Sequence, residues 1–485
     1  LLPAPHVAPV AGRILFEGRD LLALNEDQLR ALRGCRIGMI FQEPMTSLNP
    51  VMKVGEQIGE VLDAHLNLPS SERRERVLRA LRDVGLPQPE QIIDSYPFRL
   101  SGGQRQRVMI AAALVLEPTL LIADEPTTAL DVTTQAQILT LMRELQRAKG
   151  MAMLFITHDF GVVAEIADQV AVMQLGQVVE RGAARDVLRK PQHAYTQRLI
   201  AAIPHGQGSA GAKAPATAPL LEVKGLCKTF RSGGGLWTKP REVAAARDLS
   251  FDLRHGETLG VVGESGSGKS TLGRLLTGLI PADRGQIRFD GQLLAPDVRQ
   301  RPVAERGQIQ MVFQDPYASL NPRHTVGAAI MAGPIQQGMA REAAQALSLQ
   351  LLAQVGLKPD AAARYPHEFS GGQRQRIAIA RALAMRPRLI VADEPVSALD
   401  VSVQAQVLEL FAQVKREFAL SMVFITHDLR VAAQMCDRIA VMQRGEIVEI
   451  GDAASVLGNP QHAYTRELIG AAPHFHSSLE ALAAA

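Results

Sequence analysis

The chain has 485 residues, of which 47% are hydrophobic and 21% are charged, a composition typical of a globular protein with two or three domains. Its 52 basic and 49 acidic residues give a net charge of only +3, so charge gives no support for a nucleic-acid partner. The three cysteines are far apart, so they indicate neither a disulfide framework nor a CxxC metal site, and no apolar run is long enough to cross a bilayer.

The chain is an internal duplication. The stretch FQEPMTSLNP at 41–50 returns as FQDPYASLNP at 313–322. Four later motifs recur at a constant offset of 269 residues: LSGGQRQR from Leu100, IADEPTTALDV from Ile122, FITHD from Phe155 and PQHAYT from Pro191. Blocks that recur in one order and one register predict two homologous halves.

A tether separates the halves. Residues 206–219 read GQGSAGAKAPATAP, a composition of small residues, glycine and proline that cannot build a core. We therefore predict a first domain at 1–205, a flexible linker at 206–220 and a second domain at 221–485.

Strands and helices alternate within each half. Short aliphatic runs such as TLLIADEP and RLIVADEP are typical of buried strands. Val77, Leu78, Leu81 and Val84 have helical spacing and stop at a glycine. This alternation predicts an α/β fold with a largely parallel sheet, whose ligands bind at the carboxyl ends of the strands.

A phosphate-binding loop occurs in the second half. The pattern GxxxxGK[ST] follows the apolar run TLGVV and precedes a helical stretch, and it comprises Gly263, Glu264, Ser265, Gly266, Ser267, Gly268, Lys269, Ser270 and Thr271. Its backbone N–H groups can converge on phosphate oxygens, Lys269 can reach the β and γ phosphates, and Ser270 can ligate Mg²⁺. The alternative is a simple glycine-rich turn between a strand and a helix.

Two further motifs carry polar groups in both halves. An acidic pair ends a strand at Asp124 and Glu125 and again at Asp393 and Glu394. The first carboxylate of each pair can hold Mg²⁺, and the second can orient and deprotonate a water; alone, such a pair is also a common helix start.

The motif SGGQ opens a helix twice, at Ser101, Gly102, Gly103 and Gln104 and at Ser370, Gly371, Gly372 and Gln373. A helix N-terminus presents unpaired backbone N–H groups and a positive dipole end, which favour an anion. An ordinary serine-capped helix start is the alternative interpretation.

In this order the motifs resemble the nucleotide-binding subunits of ABC transporters, across essentially the whole chain. The resemblance implies two tandem P-loop NTPase domains, each with a mostly parallel core sheet and a helical subdomain, that bind ATP and Mg²⁺ and hydrolyse ATP. It assigns Q-loop roles to Gln42 and Gln314, D-loop roles to Asp131 and Asp400, and switch roles to His158 and His427, with Ser270, Gln314 and Asp393 at the metal.

The paired FQ[ED]P and PQHAYT motifs resemble the peptide and nickel importer group, whose members import glutathione, dipeptides or oligopeptides. The more common PQHPYT carries a second proline where this chain has Ala194 and Ala463. The resemblance implies two membrane permease partners, a periplasmic or lipid-anchored binding protein, and a peripheral position at the cytoplasmic face of the inner membrane. We expect neither a nucleic-acid partner nor a transmembrane segment of its own.

In this family an aromatic residue upstream of the P-loop stacks on adenine. The stretch LCKTF suggests Phe230, but the interval to the loop is long and leaves Trp237 as an alternative. Because no cysteine follows Cys436, we expect no iron–sulfur cluster of the kind some members carry.

Family architecture implies that the halves pair head to tail, with ATP between one P-loop and the SGGQ of the other half. The Lys269 site would then be completed by Ser101, Gly102, Gly103 and Asp131, whereas the opposite site, with Glu125 and His158, has no P-loop in this sequence. A natural one-site ATPase and a shortened chain both explain this difference. We expect an N-terminally shortened, two-site enzyme, because the central strand of the first sheet is missing and its loss would leave that half marginally stable.

Three functions remain open from the sequence. The first is the energy-coupling ATPase of an importer. The second is a tandem ABC ATPase that acts on ribosomes or DNA, although the charged helical linker or zinc-binding cysteines of those proteins are not seen in this sequence. The third is a catalytically impaired fragment. If the first half does not fold, we expect a dimer of the chain in place of the pairing between its halves.

Overall fold

The computed structural model describes residues 11–42, 47–127, 130–203, 218–232, 241–397 and 399–471. Their first unit lies within Leu1–Leu130, Thr134–His158 and Glu165–Ala167, and the second within Asp131–Thr133, Asp159–Ala164 and Asp168–Ala485. The domain boundaries stay a prediction, since most of the proposed linker 206–220 lies outside the described residues, as does Trp237.

The first half contains seven strands and nine helices among its described residues. The strands are β1 (Leu15–Phe16), β2 (Arg19–Asp20), β3 (Ile37–Ile40), β4 (Leu120–Asp124), β5 (Ala152–Ile156), β6 (Gln169–Gln174) and β7 (Gln177–Ala183). The helices are α1 (Glu26–Leu32), α2 (Val54–Asp63), α3 (Ser70–Asp83), α4 (Pro89–Ile92), α5 (Gly102–Leu114), α6 (Val132–Lys149), α7 (Phe160–Ile166), α8 (Ala184–Arg189) and α9 (Ala194–Ala201).

The second half contributes ten strands and ten helices to the described residues. The strands are β8 (Leu221–Ser232), β9 (Arg241–Leu253), β10 (Thr258–Val262), β11 (Arg284–Phe289), β12 (Gln292–Leu293), β13 (Ile309–Val312), β14 (Leu389–Asp393), β15 (Ser421–Ile425), β16 (Arg438–Gln443) and β17 (Glu446–Asp452). The helices are α10 (Lys269–Thr277), α11 (Val303–Arg306), α12 (Pro316–Ser319), α13 (Val326–Gln336), α14 (Arg341–Gln354), α15 (Gly371–Leu383), α16 (Val401–Glu417), α17 (Leu429–Met435), α18 (Ala453–Gly458) and α19 (Ala463–Ala471).

The main sheet of the second unit has six strands in the order β13-β14-β15-β10-β16-β17, and only β17 runs antiparallel to its neighbour. Every residue of β10, β14 and β15 is buried, as expected for parallel strands that are covered on both faces. The prediction of an α/β fold with a largely parallel sheet is confirmed.

A second sheet in this unit was not predicted. It is antiparallel, with the order β12-β11-β8-β9, and its apolar face joins the main sheet in one hydrophobic core that contains Phe251, Leu259 and Leu272. The opposite face of the main sheet packs against a larger core that contains Phe411 and Phe424. The P-loop strand β10 therefore lies between two apolar layers.

The first unit has a parallel sheet of three strands, β3-β4-β5, whose core includes residues from α2, α3 and α5. The predicted helix around Val77 and Leu81 is α3, and both side chains are buried. The hairpin β6-β7, which belongs to the second unit, forms a separate two-stranded antiparallel sheet. Among the described residues, no helix is both long and apolar enough to span a membrane.

Candidate functional site

The parallel strands of the second unit bring three functional segments to one edge of the sheet. Strand β10 ends at Val262, β14 ends at Asp393 and β15 ends at Ile425. Because all three strands run in the same direction, the P-loop, the acidic pair and the histidine segment follow at the same carboxyl edge.

Two glycines give the P-loop its shape. A Cβ on Gly263, where φ is +152°, would lie 2.2 Å from the carbonyl oxygen of Met442, and a Cβ on Gly268, where φ is +107°, would lie 2.2 Å from that of Ala245. Only glycine fits this combination of backbone conformation and close approach. The loop is therefore held tightly against β9 and β16, while Ser265 and Gly266 are exposed at its tip.

Lys269 is the first residue of α10 and is 5% exposed. Its Nζ donates hydrogen bonds of 2.8 Å to the carbonyl oxygens of Gly263 and Glu264. Burial lowers the pKa of Lys269, against the opposing charges of Glu394 and Asp393. The ammonium is thus folded back on the loop, at the position from which it can turn to a phosphate.

The next residue of α10 contacts the acidic pair. The Ser270 hydroxyl donates to Oδ1 of Asp393 over 2.9 Å. Burial raises the pKa of Asp393, and the hydrogen bond from Ser270 opposes this effect. A hydroxyl and a carboxylate oxygen that already lie together are suitable ligands for a hard divalent cation.

Glu394 collects two predicted partners. Nε2 of Gln314 donates to its Oε2 over 3.0 Å, and Nδ1 of His427 lies 3.1 Å from the same oxygen. Glu394 has a φ of +44°, a backbone conformation that a residue with a Cβ rarely adopts, and its N–H donates to the carbonyl of Ile425. Such strain is concentrated at functional sites, where the surrounding structure enforces it.

Charge stabilises the Glu394–His427 pair. Burial alone would raise the pKa of Glu394, but the hydrogen bond and charge of His427, together with Lys269, lower it below its ordinary 4.5. Burial lowers the pKa of His427, but Glu394 outweighs burial and raises it above 6.5. The carboxylate is therefore ionised at neutral pH, and the imidazole is easily protonated.

The first half repeats this cluster. Nε2 of Gln42 donates to Oε2 of Glu125 over 2.8 Å, and Nδ1 of His158 lies 3.0 Å from Oε1. Glu125 also has a positive φ, +45°, and its N–H donates to the carbonyl of Ile156. Asp124, the other acidic residue of the pair, is the last residue of β4. Both copies of the motif thus build the same three-residue cluster.

Both SGGQ motifs begin a helix as predicted, α5 and α15. Ser101 and Ser370 are the N-cap residues, and each forms a reciprocal capping box with the glutamine of its motif, Gln104 or Gln373. The serine and the first glycine of each motif, Gly102 or Gly371, are exposed. A Cβ on the second glycine would lie 2.7 Å from Thr134 Cγ2 for Gly103, and 2.2 Å from Val403 Cγ1 for Gly372. The capped-helix and anion-binding interpretations are therefore compatible.

Three other predicted residues occupy accessible or terminal positions. Phe230 lies on β8 and is 42% exposed. It pairs with Val243 of the neighbouring strand β9. Two residues further along β9, the carbonyl oxygen of Ala245 lies against Gly268 of the P-loop. Asp131 directly precedes α6, and Asp400 is the N-cap residue of α16.

One contact of the P-loop does not follow from the sequence motifs. The hydroxyl oxygen of Tyr464 accepts a hydrogen bond of 3.0 Å from the backbone N–H of Glu264. PQHAYT served only as a mark of family resemblance, although its tyrosine is repeated as Tyr195. The positive φ of Glu125 and Glu394 was also not predicted. The sequence signal for it was the DEP motif, in which a proline follows each glutamate in both halves.

A P-loop joined at one sheet edge by an acidic pair, a glutamine and a histidine, together with SGGQ helices, defines an ATP-binding cassette. The ABC transporter family model matches residues 4–128 and 246–397, and the model of the oligopeptide/dipeptide transporter C-terminal region matches 179–228 and 448–484.

The chain is 48% identical over 493 residues to the glutathione import ATP-binding protein GsiA of Pectobacterium atrosepticum, covering 95% of this chain and 79% of that protein. It is also 48% identical over 476 residues to the peptidoglycan transport ATP-binding protein YejF of Agrobacterium fabrum, covering 97% and 86% of the two chains. A solved dimeric ATP-binding cassette with bound ADP and Pi aligns at 28% identity and a TM-score of 0.43, covering 48% of this chain and 98% of that one.

The chain belongs to the ABC transporter ATP-binding proteins, of the oligopeptide/dipeptide importer type. It is the subunit that couples ATP hydrolysis to solute import, the first of the functions that the sequence left open.

Proposed function

We propose that ATP is bound by the P-loop that contains Lys269 and is hydrolysed with Glu394 as the general base. The observation that carries this proposal is the convergence of Gln314 and His427 on Oε2 of Glu394, at the same sheet edge as the P-loop. An ionised carboxylate that is oriented by two hydrogen bonds can position a water molecule and accept its proton.

The roles of the other residues follow from their chemistry. The backbone N–H groups of Gly266 to Thr271 bind phosphate oxygens, and Lys269 exchanges its two carbonyl partners for the β and γ phosphates. His427 holds a proton near the γ-phosphate, where negative charge develops. The exposed ring of Phe230 stacks on the adenine.

Ser270, Asp393 and Gln314 would hold Mg²⁺. Their donor set is a hydroxyl, a carboxylate and an amide oxygen, and the Ser270–Asp393 distance of 2.9 Å supports the fit. When bound, Mg²⁺ neutralises charge on the β and γ phosphates. The positive charge of Arg274 lowers the pKa of Asp393, against the larger effect of burial, and so helps to keep that carboxylate ionised.

The first domain (1–205) and the second (221–485), joined by the linker 206–220, would pair head to tail. Ser101, Gly102, Gly103 and Asp131 would complete the Lys269 site, and Ser370, Gly371, Gly372 and Asp400 would face Glu125 and His158. Exposure of the serine and first glycine of each SGGQ helix supports this arrangement. Closure on ATP and opening after hydrolysis would then move two permease subunits at the cytoplasmic face of the membrane, to which a binding protein delivers the solute.

The imported solute would be glutathione, a dipeptide or an oligopeptide. Two observations support a solute that contains peptide bonds. The chain matches the oligopeptide/dipeptide transporter C-terminal region, and two relatives are named for glutathione import and for peptidoglycan transport.

Replacement of the P-loop lysine tests the nucleotide site. We expect Lys269→Ala to weaken MgATP binding by about a hundredfold and to abolish phosphate release, because the loop loses its only positive side chain. Isothermal titration with MgATP and a phosphate-release assay measure both effects. Lys358→Ala, an exposed lysine that caps a short helix, is the control. Equal affinity and activity in the two variants would refute the assignment.

A further inference from the structure

The C-terminal segment of the second half reaches the P-loop through one side chain. Tyr464 belongs to α19, 200 residues away in sequence from Glu264, and its hydroxyl oxygen accepts the Glu264 N–H over 3.0 Å. Tyr464 is 4% exposed and Glu264 is half-buried, so the bond is partly buried. A partly buried N–H that loses its partner is costly, and the tyrosine is the group that satisfies it.

The same peptide group is held at its other edge. The Glu264 N–H and the Gly263 carbonyl belong to one peptide unit, and that carbonyl accepts a hydrogen bond of 2.8 Å from Lys269. Two hydrogen bonds on opposite edges fix the plane of a peptide. Gly263 has no Cβ and a φ of +152°, so its own backbone opposes rotation of this peptide only weakly.

Tyr464 is itself rigidly placed. Its N–H donates to Nδ1 of His462 over 3.2 Å, and Glu449 on β17 accepts the N–H groups of Gln461 and His462 over 2.8 and 3.0 Å. Leu468, one turn further along α19, is 2% exposed and packs in the core. These hydrogen bonds and this packing fix the position of the Tyr464 hydroxyl, which contacts the P-loop.

The phenol keeps its proton under cellular conditions. Burial raises the pKa of Tyr464 to about 12, above its ordinary 10.0. A neutral hydroxyl can accept from Glu264 without placing a negative charge beside the phosphate site, where an anion would repel ATP.

We propose that Tyr464 is a positioning residue for nucleotide binding: it fixes the Gly263–Glu264 peptide and so holds the P-loop and Lys269 in the shape that receives phosphates. The role rests on the proposed assignment of the Lys269 site. This role would make the second PQHAYT motif, which begins at Pro460, a determinant of ATP affinity as well as a motif that identifies the family.

The duplication supplies a matched control. Tyr195 occupies the same place in the first copy, where Glu180 accepts the N–H groups of Gln192 and His193, and His193 Nδ1 accepts the Tyr195 N–H over 3.2 Å. In the part of the chain that the structure describes, no hydrogen bond joins its hydroxyl to a P-loop. The change Tyr195→Phe thus removes the same atom from the same local motif in the other copy.

The experiment compares Tyr464→Phe, Tyr195→Phe and Lys269→Ala in the whole chain. We expect Tyr464→Phe to raise the MgATP dissociation constant and the KM about five- to tenfold, since the partly buried N–H of Glu264 loses its acceptor, while kcat at saturating ATP changes less than about twofold. Tyr195→Phe keeps the affinity of the unmodified chain. Isothermal titration and steady-state phosphate release measure these values, and thermal unfolding checks that each variant folds.

The outcomes separate the two proposals. If Lys269→Ala weakens MgATP binding as expected but Tyr464→Phe binds MgATP as the unmodified chain does, the role of Tyr464 is wrong and the site assignment stands. An equal loss of affinity in both tyrosine variants also contradicts the role, because it indicates a general effect of the motif. If Lys269→Ala still binds normally, the site assignment itself fails.

Discussion

Strands β15 and β5 are copies of one sequence motif, yet their surroundings differ. Strand β15 pairs with β14 on one side and with the P-loop strand β10 on the other, whereas among the described residues β5 pairs only with β4. Val423 and Ile425 on β15 are fully buried, but their counterparts Leu154 and Ile156 on β5 are 52% and 45% exposed. In the second half, the neighbour that covers these side chains is the P-loop strand β10.

The comparison extends to chemistry, because the carboxylate cluster forms in both copies while the P-loop pattern occurs once in the sequence. The geometry of the hydrogen-bonded cluster around the glutamate is thus encoded locally, by the strand ends and the turn that follows them. Nucleotide binding requires the further P-loop element, so equivalent substitutions in the two copies should have unequal effects.

The largest inequality is expected for the two glutamates. Glu394→Gln should lower kcat by about 10²- to 10⁴-fold, because the amide cannot accept a proton from water. Glu125→Gln should lower it less than about threefold, since its cluster has no P-loop in this chain. Steady-state phosphate release measures both variants. Comparable losses in the two would show that both clusters take part in turnover.

A smaller inequality is expected in stability. Phe424 on β15 is fully buried and meets the edge of Phe411, with ring centroids 5.7 Å apart, whereas its counterpart Phe155 on β5 is only partly buried. Phe424→Ala should cost about 3 to 5 kcal/mol of unfolding free energy, and Phe155→Ala about 1 to 2. Urea titrations followed by circular dichroism compare them, and a larger loss for Phe155→Ala would contradict the burial argument.

The smallest effect concerns proton affinity. Because Glu394 raises the pKa of His427 against the effect of burial, Glu394→Gln should make His427 titrate at a lower pH. Glu409→Gln, an exposed carboxylate of α16, is the control. Nuclear magnetic resonance of ¹³C-labelled histidine follows the titration, and an unchanged pKa in Glu394→Gln would exclude the coupling.

The same pair sets a pH window for stability. The contribution of Glu394 is present above its ordinary pKa of 4.5 and is lost as the pH falls through its lower folded value. The contribution of His427 is complete below its ordinary 6.5 and is lost as the pH rises through its raised folded value. The Glu394–His427 pair therefore stabilises the fold most between the two ordinary pKa values, 4.5 for the carboxyl and 6.5 for the imidazole.

Short motifs at strand ends predicted which segments meet at one sheet edge, because parallel strands align their ends. Gly263 to Thr271 and Glu394 could be placed at that edge on this ground, and so could the parallel sheet, whereas the choice of His427 came from the family resemblance. The Tyr464–Glu264 bond could not, because it joins segments 200 residues apart whose approach depends on packing. The antiparallel sheet of β8, β9, β11 and β12 was missed for the same reason.

The most direct test of the account is a structure of the Glu394→Gln chain with MgATP bound. We predict that the γ-phosphate lies within hydrogen-bond distance of Lys269 and of the Ser101 end of α5, with Gln314 and His427 around it. ATP bound to the P-loop while Ser101 and Gly103 contact no phosphate would contradict the composite site on which the mechanism depends.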